Sequence, residues 1–344
     1  MSPGRWSRRP EGSTWGDFGA DDQLGRLNLL TPERVRAAVA EVCEGISFCL
    51  SLPLDYPGEA KLNPRRKPPQ LSPTTLKGEP FLNYALRKLD ARNTDVICDD
   101  QVTMALQYST QWDSFAHVGS LFDADGDGVN EIVYYNGFRA GAHVKGPEEA
   151  KAEGLLGQSC AQALGIENFA AKAIQGRGVL ADLRAHFGEE RRAVGYDDLM
   201  RVLEADQVIV ERGDMLLLHT GFTALVLSMD RRPDMEVLNR SCAGLDGRDQ
   251  RLLRWITESG IAALCADNYA VEMYPSSDLP GERPLLPLHE HCLFKLGVPL
   301  GELWWLGDLA RWLREHRRSR FLLTAPPLRL PGAVGSPVTP VATV

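Results

Sequence analysis

The chain has 344 residues, 44% hydrophobic and 24% charged, which is the balance of a folded globular protein and excludes disordered or collagen-like character. Its 38 Lys and Arg against 46 Asp and Glu leave a net charge of −8, which argues against a dedicated nucleic-acid or anionic-membrane binder. The 32 glycines and 22 prolines call for many turns, and so for mixed or β-containing structure.

The seven cysteines are odd in number and form no CxxC, so reduced, mostly buried thiols are expected and a disulfide framework is not. The basic N-terminus lacks an apolar segment and no apolar run of about 18 residues occurs, so a cytoplasmic location is expected.

Residues 1–30, rich in Gly, Arg, Asp and Trp, read as an irregular arm that packs through Trp6 and Trp15. A first helix is expected from Thr31-Pro32, where Thr31 caps, Pro32 suits the first turn, and Val35, Ala38, Val39 and Val42 recur at helical spacing. Residues 46–52 alternate as a strand does. Residues 53–95, with NPRRKPP at 63–69, are expected to form a long surface loop or lid.

Further strands are expected over 102–108, 178–183, 214–219, 261–266 and 320–324, and helices over 196–205, 247–259 and 302–317. The Pro- and Gly-rich tail 326–344 reads as extended or frayed. One catalytic domain over 31–325 follows, with no internal repeat and no strict βαβ alternation.

The densest polar cluster runs from Gln107 to His117. Gln107, Gln111, Asp113 and His117 all occupy odd positions, so in a strand they share one face. A carboxylate with an imidazole is the minimal set for a metal ligand plus a general base. The plainer alternative is a polar loop in which Asp113 caps a turn and His117 packs. A second cluster holds His289 and His291, then Glu302. On spacing alone, its plainer alternative is a helix start with surface histidines.

The ordered blocks at 15–35 (WGDFGADDQLGRLNLLTPERV), 134–138 (YYNGF), 176–183 (GRGVLADL), 212–221 (RGDMLLLHTG), 266–275 (ADNYAVEMYP) and 288–310 surround these two clusters. Together they resemble the cyclase-type amidohydrolase family, which contains formamidases and isatin hydrolases. The resemblance implies an α/β fold, a single swivelling β/β/α domain with a mixed sheet and flanking helices. The family hallmark is HxGTHxDxxxH, and here the same stretch reads QYSTQWDSFAH, with Gln107 and Gln111 in place of two histidines.

Carried onto this sequence, the resemblance implies Asp113, His289 and Glu302 as metal ligands, with His291 a competitor for His289, and His117 as the catalytic base. Loss of two imidazoles points to one divalent ion rather than two: Mn²⁺ or Zn²⁺ first, Mg²⁺ next, with a metal-free site as the alternative. Gln107 and Gln111 are expected to donate N–H groups to an oxyanion. Trp112, Phe115 and Tyr134 are expected to wall the substrate pocket.

The implied reaction is hydrolysis of an amide or lactone in a small cyclic or N-acyl substrate. The rival reading is a non-hydrolytic cyclase, dehydratase or lyase, and a further one is a ligand-binding protein without catalysis. A small-molecule substrate is the expected partner, within a homodimer or larger homo-oligomer.

Three other features read as incidental. The run Asp123-Ala-Asp125-Gly-Asp127 opens like a calcium loop but has Tyr134 where the closing Glu belongs. His219 at a strand end ranks below His117 as a catalytic group. Cys265 and Cys292 read as buried apolar residues rather than nucleophiles.

Overall fold

Apolar runs too short for helices form the centre of a nine-stranded sheet. The computed structural model describes residues 5–155 and 160–344, so the first four residues of the expected arm lie outside it. In chain order the sheet strands are β1 (Ser47–Cys49), β2 (Gln111–Asp113), β3 (Gln175–Asp182), β4 (Met215–His219), β5 (Ala263–Ala266), β6 (Leu300–Glu302), β7 (Arg320–Thr324), β8 (Gly335–Pro337) and β9 (Val341–Thr343). Their spatial order is β1-β9-β7-β3-β4-β5-β6-β2-β8. Strands β3 to β6 run parallel and their neighbours antiparallel.

The parallel strands are buried on both faces, through Val179 to Ala181, Leu216 to Leu218 and Leu264 to Ala266, as such strands must be when helices cover them. The flanking helices include Pro32–Val39, Tyr196–Ala205, Gln250–Ser259 and Gly307–Glu315. Thr31 caps the first by accepting from the Arg34 amide. Asp249 caps the third, and its second oxygen accepts from the Tyr196 amide at 2.7 Å, so one carboxylate serves two helix starts. The α/β expectation, with a mixed sheet and flanking helices, holds.

Four local expectations change. The strand placed at 102–108 is an exposed strand Asp100–Thr103, whereas the buried strand comes later, at β2. The helix placed from Glu302 begins at Gly307, because Glu302 ends β6. The segment 53–95 carries short hairpin strands, with Gln70–Pro73 paired to Asp100–Thr103.

The tail is also not frayed. It supplies β8, which pairs with β2, and β9, which lies between β1 and β7, and it buries Val338, Ala342 and Val344. The apolar side chains of this segment find cover only when the sheet is complete.

The N-terminal arm is equally structural. Trp15 is fully buried, donates to the Phe294 carbonyl at 2.8 Å and meets the Phe294 ring edge-on. Arg26 is buried and donates to the Ile256 and Thr257 carbonyls. Gly25 lies so close to Gly297 that a Cβ would sit 2.2 Å from the Gly297 carbonyl oxygen. The arm thereby braces the segment Glu290–Leu296, which follows His289.

Asp182 and His219 end the paired strands β3 and β4 in register, with Nδ1 of His219 2.7 Å from the carboxylate. Arg314 reaches the other oxygen. Burial works to raise the Asp182 pKa, but His219 and Arg314 outweigh it and bring it down to about 2.

A lowered carboxylate pKa stabilises the fold above the unfolded-state value, and that contribution disappears as the pH falls through the folded-state value. Asp182→Asn is therefore expected to cost about 2 kcal/mol at neutral pH. The gap to wild type should narrow between about pH 4 and about pH 2, as followed by denaturant unfolding at each pH. A gap that does not change with pH would show that the aspartate acts only through packing.

Candidate active site

Strand β2 places the site by its period of two. Gln111 and Asp113 point to one face and Trp112 to the other. Across the antiparallel pair, Gln111 stands opposite Glu302 and Asp113 opposite Leu300, which puts Gln111, Asp113 and Glu302 on the same face. All three are buried. The Gln111 amide nitrogen donates to Asp113 Oδ1 at 3.1 Å and to Glu302 Oε2 at 3.0 Å, holding the two carboxylates together.

His289 completes the cluster from the helical turn Pro287–His289. Its ring lies between two carboxylates, with Nδ1 2.8 Å from Glu272 Oε1 and Nε2 3.1 Å from Glu302 Oε1. Glu272 also accepts from the Leu288 and His289 amides, both at 3.1 Å, so it caps this turn and fixes the ring at once. Gly247 leaves room for it, since a Cβ there would lie 2.5 Å from Glu272 Oε2. Glu272 lies within the 266–275 block but carries no motif of its own, and only its contact with His289 reveals it.

One ligand atom each from Asp113, His289 and Glu302 lies within 4.8 Å of the others. Asp113 Oδ2 and Gln111 Oε1 are buried with no hydrogen-bond partner among the described residues. Oxygen atoms in that state are costly unless a cation or water satisfies them, so this donor set fits a hard divalent ion. Burial and Asp113 raise the Glu302 pKa to about 7. Burial opposes protonation of His289, yet Glu272 and Glu302 bring its pKa up to about 10.

A cavity of about 680 Å³ opens over this cluster, and His289, Glu302, Gln107 and His117 line it. His117 is set by a turn after β2, where its amide donates to the Ser114 carbonyl at 3.0 Å. Its Nε2 stands 3.8 Å from Asp113 Oδ1, outside hydrogen-bond range. Burial lowers its pKa despite the opposing charge of Asp113, favouring a neutral imidazole that can accept a proton.

The other expected residues are placed as follows. Trp112 and Phe115 are fully buried in the core and do not line the cavity. Trp112 donates to the Ala325 carbonyl and packs edge-on against Trp304, while Phe115 packs on Phe169 and Tyr135. Strand alternation explains the correction for Trp112, since a neighbour of two inward-facing residues faces away from them. Tyr134 also lies off the cavity, and Tyr108, Tyr269 and Tyr274 supply its aromatic wall instead.

Gln111 has both donor contacts on carboxylates, which corrects the oxyanion role expected of it. His291 turns away to Thr257 and the Leu253 carbonyl, both at 2.9 Å, because two residues along a helix lie on different faces. Cys265 and Cys292 are fully buried and burial raises both thiols, as expected of inert residues. Against expectation, Cys43, Cys49 and Cys98 are exposed.

The acidic run at 123–127 closes a hairpin between Ser120–Phe122 and Glu131–Val133. Its carboxylates accept from their own turn amides and pair with Arg8 and Arg139.

The Cyclase family model matches residues 48–273. A crystal structure of a novel cyclase is 31% identical, covering 96% of this chain and 97% of its own, with a TM-score of 0.72. Isatin hydrolase A from Labrenzia aggregata is 14% identical, with 87% and 93% coverage and a TM-score of 0.56. Isatin hydrolase A from Ralstonia solanacearum is also 14% identical, with 91% and 97% coverage and a TM-score of 0.54. At that identity the likeness to the two hydrolases concerns the fold. No curated protein matches the sequence. With the family model spanning most of the chain and a cyclase structure following it nearly end to end, this protein belongs to the cyclase family.

Proposed function

We propose that the protein is a metal-dependent hydrolase of an amide or lactone bond in a small cyclic or N-acyl substrate. The observation that carries this reading is the buried trio Asp113, His289 and Glu302, with ligand atoms within 4.8 Å of one another, beside a cavity that also holds His117. Asp113, His289 and Glu302 would hold one divalent ion. Two carboxylates, one imidazole and an unpartnered amide oxygen suit Mn²⁺ first, then Zn²⁺ or Mg²⁺. When bound, such an ion supplies Lewis-acid polarisation of a carbonyl and a lowered pKa for water.

The remaining work falls to side chains. His117, neutral at the cavity wall, takes a proton from the attacking water and returns it to the leaving nitrogen or oxygen. Glu272 holds the His289 ring in orientation, and the Gln111 amide keeps the two carboxylates from separating. Gln107, which lines the cavity, would donate to a developing oxyanion.

The test is incubation of Mn²⁺-loaded protein with formanilides, cyclic imides and small lactones, followed by mass spectrometry. Ring opening of an imide or lactone should give a product one water heavier than its substrate, and a formanilide should split into an aniline and formate whose masses together exceed it by one water. A product of equal mass, or one water lighter, would move the protein to the cyclase, dehydratase or lyase reading. No turnover of any class would sink the hydrolase reading.

A further inference from the structure

The basic run at 63–69 has no part in the chemistry above, yet it enters the same cavity. Arg65 and Arg66 line it together with His289 and Glu302, Arg65 being exposed and Arg66 half-buried. Arg66 donates to the Gln107 carbonyl at 2.8 Å, which fixes one arm of its guanidinium, and among the described residues its other N–H groups meet no acceptor. Tyr108 tethers the same segment by donating to the Glu59 carbonyl at 2.9 Å. The nearby acid Glu59 is already engaged by Lys61 at 2.8 Å, and among the described residues neither arginine has an ion-pair partner. Tyr269, Tyr274, Leu62 and Leu286 share the same lining.

A pair of guanidiniums with no ion-pair partner among the described residues, on a cavity with aromatic and apolar lining in a chain of net charge −8, is a local positive focus in an acidic protein. The planar fork of an arginine matches a carboxylate better than any neutral group. We infer that Arg65 and Arg66 select a substrate that bears a carboxylate in addition to its scissile bond. This rests on the hydrolase reading only for the word scissile, since anion recognition by the two arginines does not depend on turnover.

The test compares 4-formamidobenzoate with its neutral isostere 4-formamidobenzamide. Binding is measured by calorimetry on the protein as purified, and again after chelation so that no cation can hold the carboxylate. Turnover of both probes is then measured with Mn²⁺ present. The benzoate is expected to bind about 10- to 100-fold tighter, the range set by charge-assisted hydrogen bonds. The preference should appear in KM more than in kcat and should weaken with salt.

The double variant R65Q/R66Q should collapse the ratio between the probes toward one, with R66K intermediate. R87Q, at an exposed arginine away from the cavity, should keep the ratio. Equal binding of the two probes, or a double variant that keeps the preference, overturns the inference. Discrimination in binding without turnover sinks the hydrolase reading alone, and turnover without discrimination sinks this inference alone.

Discussion

Asp113→Asn is expected to remove the bound divalent ion and with it all measurable hydrolysis, while leaving the chelated protein at least as stable as chelated wild type. The two halves of that result follow from one arrangement. Asp113 and Glu302 are buried together, and burial with the Asp113 charge lifts the Glu302 carboxyl to about 7. Removing one of the two charges relieves that conflict in the absence of a cation. The asparagine carbonyl can still accept from the Gln111 amide, so the hydrogen bond at 3.1 Å need not be lost.

A purely structural cluster behaves in the opposite way, since removing one member of a buried ion pair destabilises by roughly 3–5 kcal/mol. The measurement is metal content per chain by elemental analysis, together with the thermal midpoint with and without chelator. Wild type should hold one ion per chain and gain about 2.7 kcal/mol at a free-ion concentration one hundred times Kd. The variant should show neither.

Glu272→Gln should act through His289 and weaken metal affinity by about 10- to 100-fold, the usual effect of losing a carboxylate that orients a ligating histidine. Wild type with two ions per chain, or with full activity and none, would refute the single-ion site.

The convergence of Asp113, His289 and Glu302 was readable because they lie in two dense polar stretches whose order and spacing resemble the cyclase pattern. Three other features were not readable, each for a physical reason. Glu272 sits in an apolar block, and nothing local distinguishes it from a surface acid until the chain folds His289 onto it. Trp112 looked like a pocket residue because it adjoins Gln111 and Asp113, but adjacency in a strand means opposite faces. The tail looked frayed because Pro and Gly dominate it locally, whereas its strands pair with residues at the far end of the chain, Val341 with Cys49 among them.

By contrast, the helix at Tyr196–Ala205 and the strands β4, β5 and β7 were legible, since periodicity and burial are local properties that the tertiary structure did not override. The glutamines at 107 and 111 show the same division. Their identity marks a departure from the histidine pattern, but only geometry separates their roles. Gln111 is closed off between carboxylates and Gln107 is open to the cavity.

His117→Ala is expected to lower kcat by about 10² to 10⁴, the usual worth of a positioned general base, while metal content stays at the wild-type value. The separation is possible because His117 lines the cavity without touching the cluster, its Nε2 being 3.8 Å from Asp113. His117→Gln should lose as much, since an amide of similar size can hydrogen-bond but cannot carry the proton.

The pH profile distinguishes a base from a packing residue. Burial holds the His117 pKa below its ordinary 6.5, so the neutral, proton-accepting form is already populated at neutral pH. Because the rate rises as the base loses its proton, the acid limb of kcat should lie below pH 6.5 in wild type and vanish in both variants. Metal-loaded His117→Ala that keeps its rate and its acid limb would refute His117 as the base.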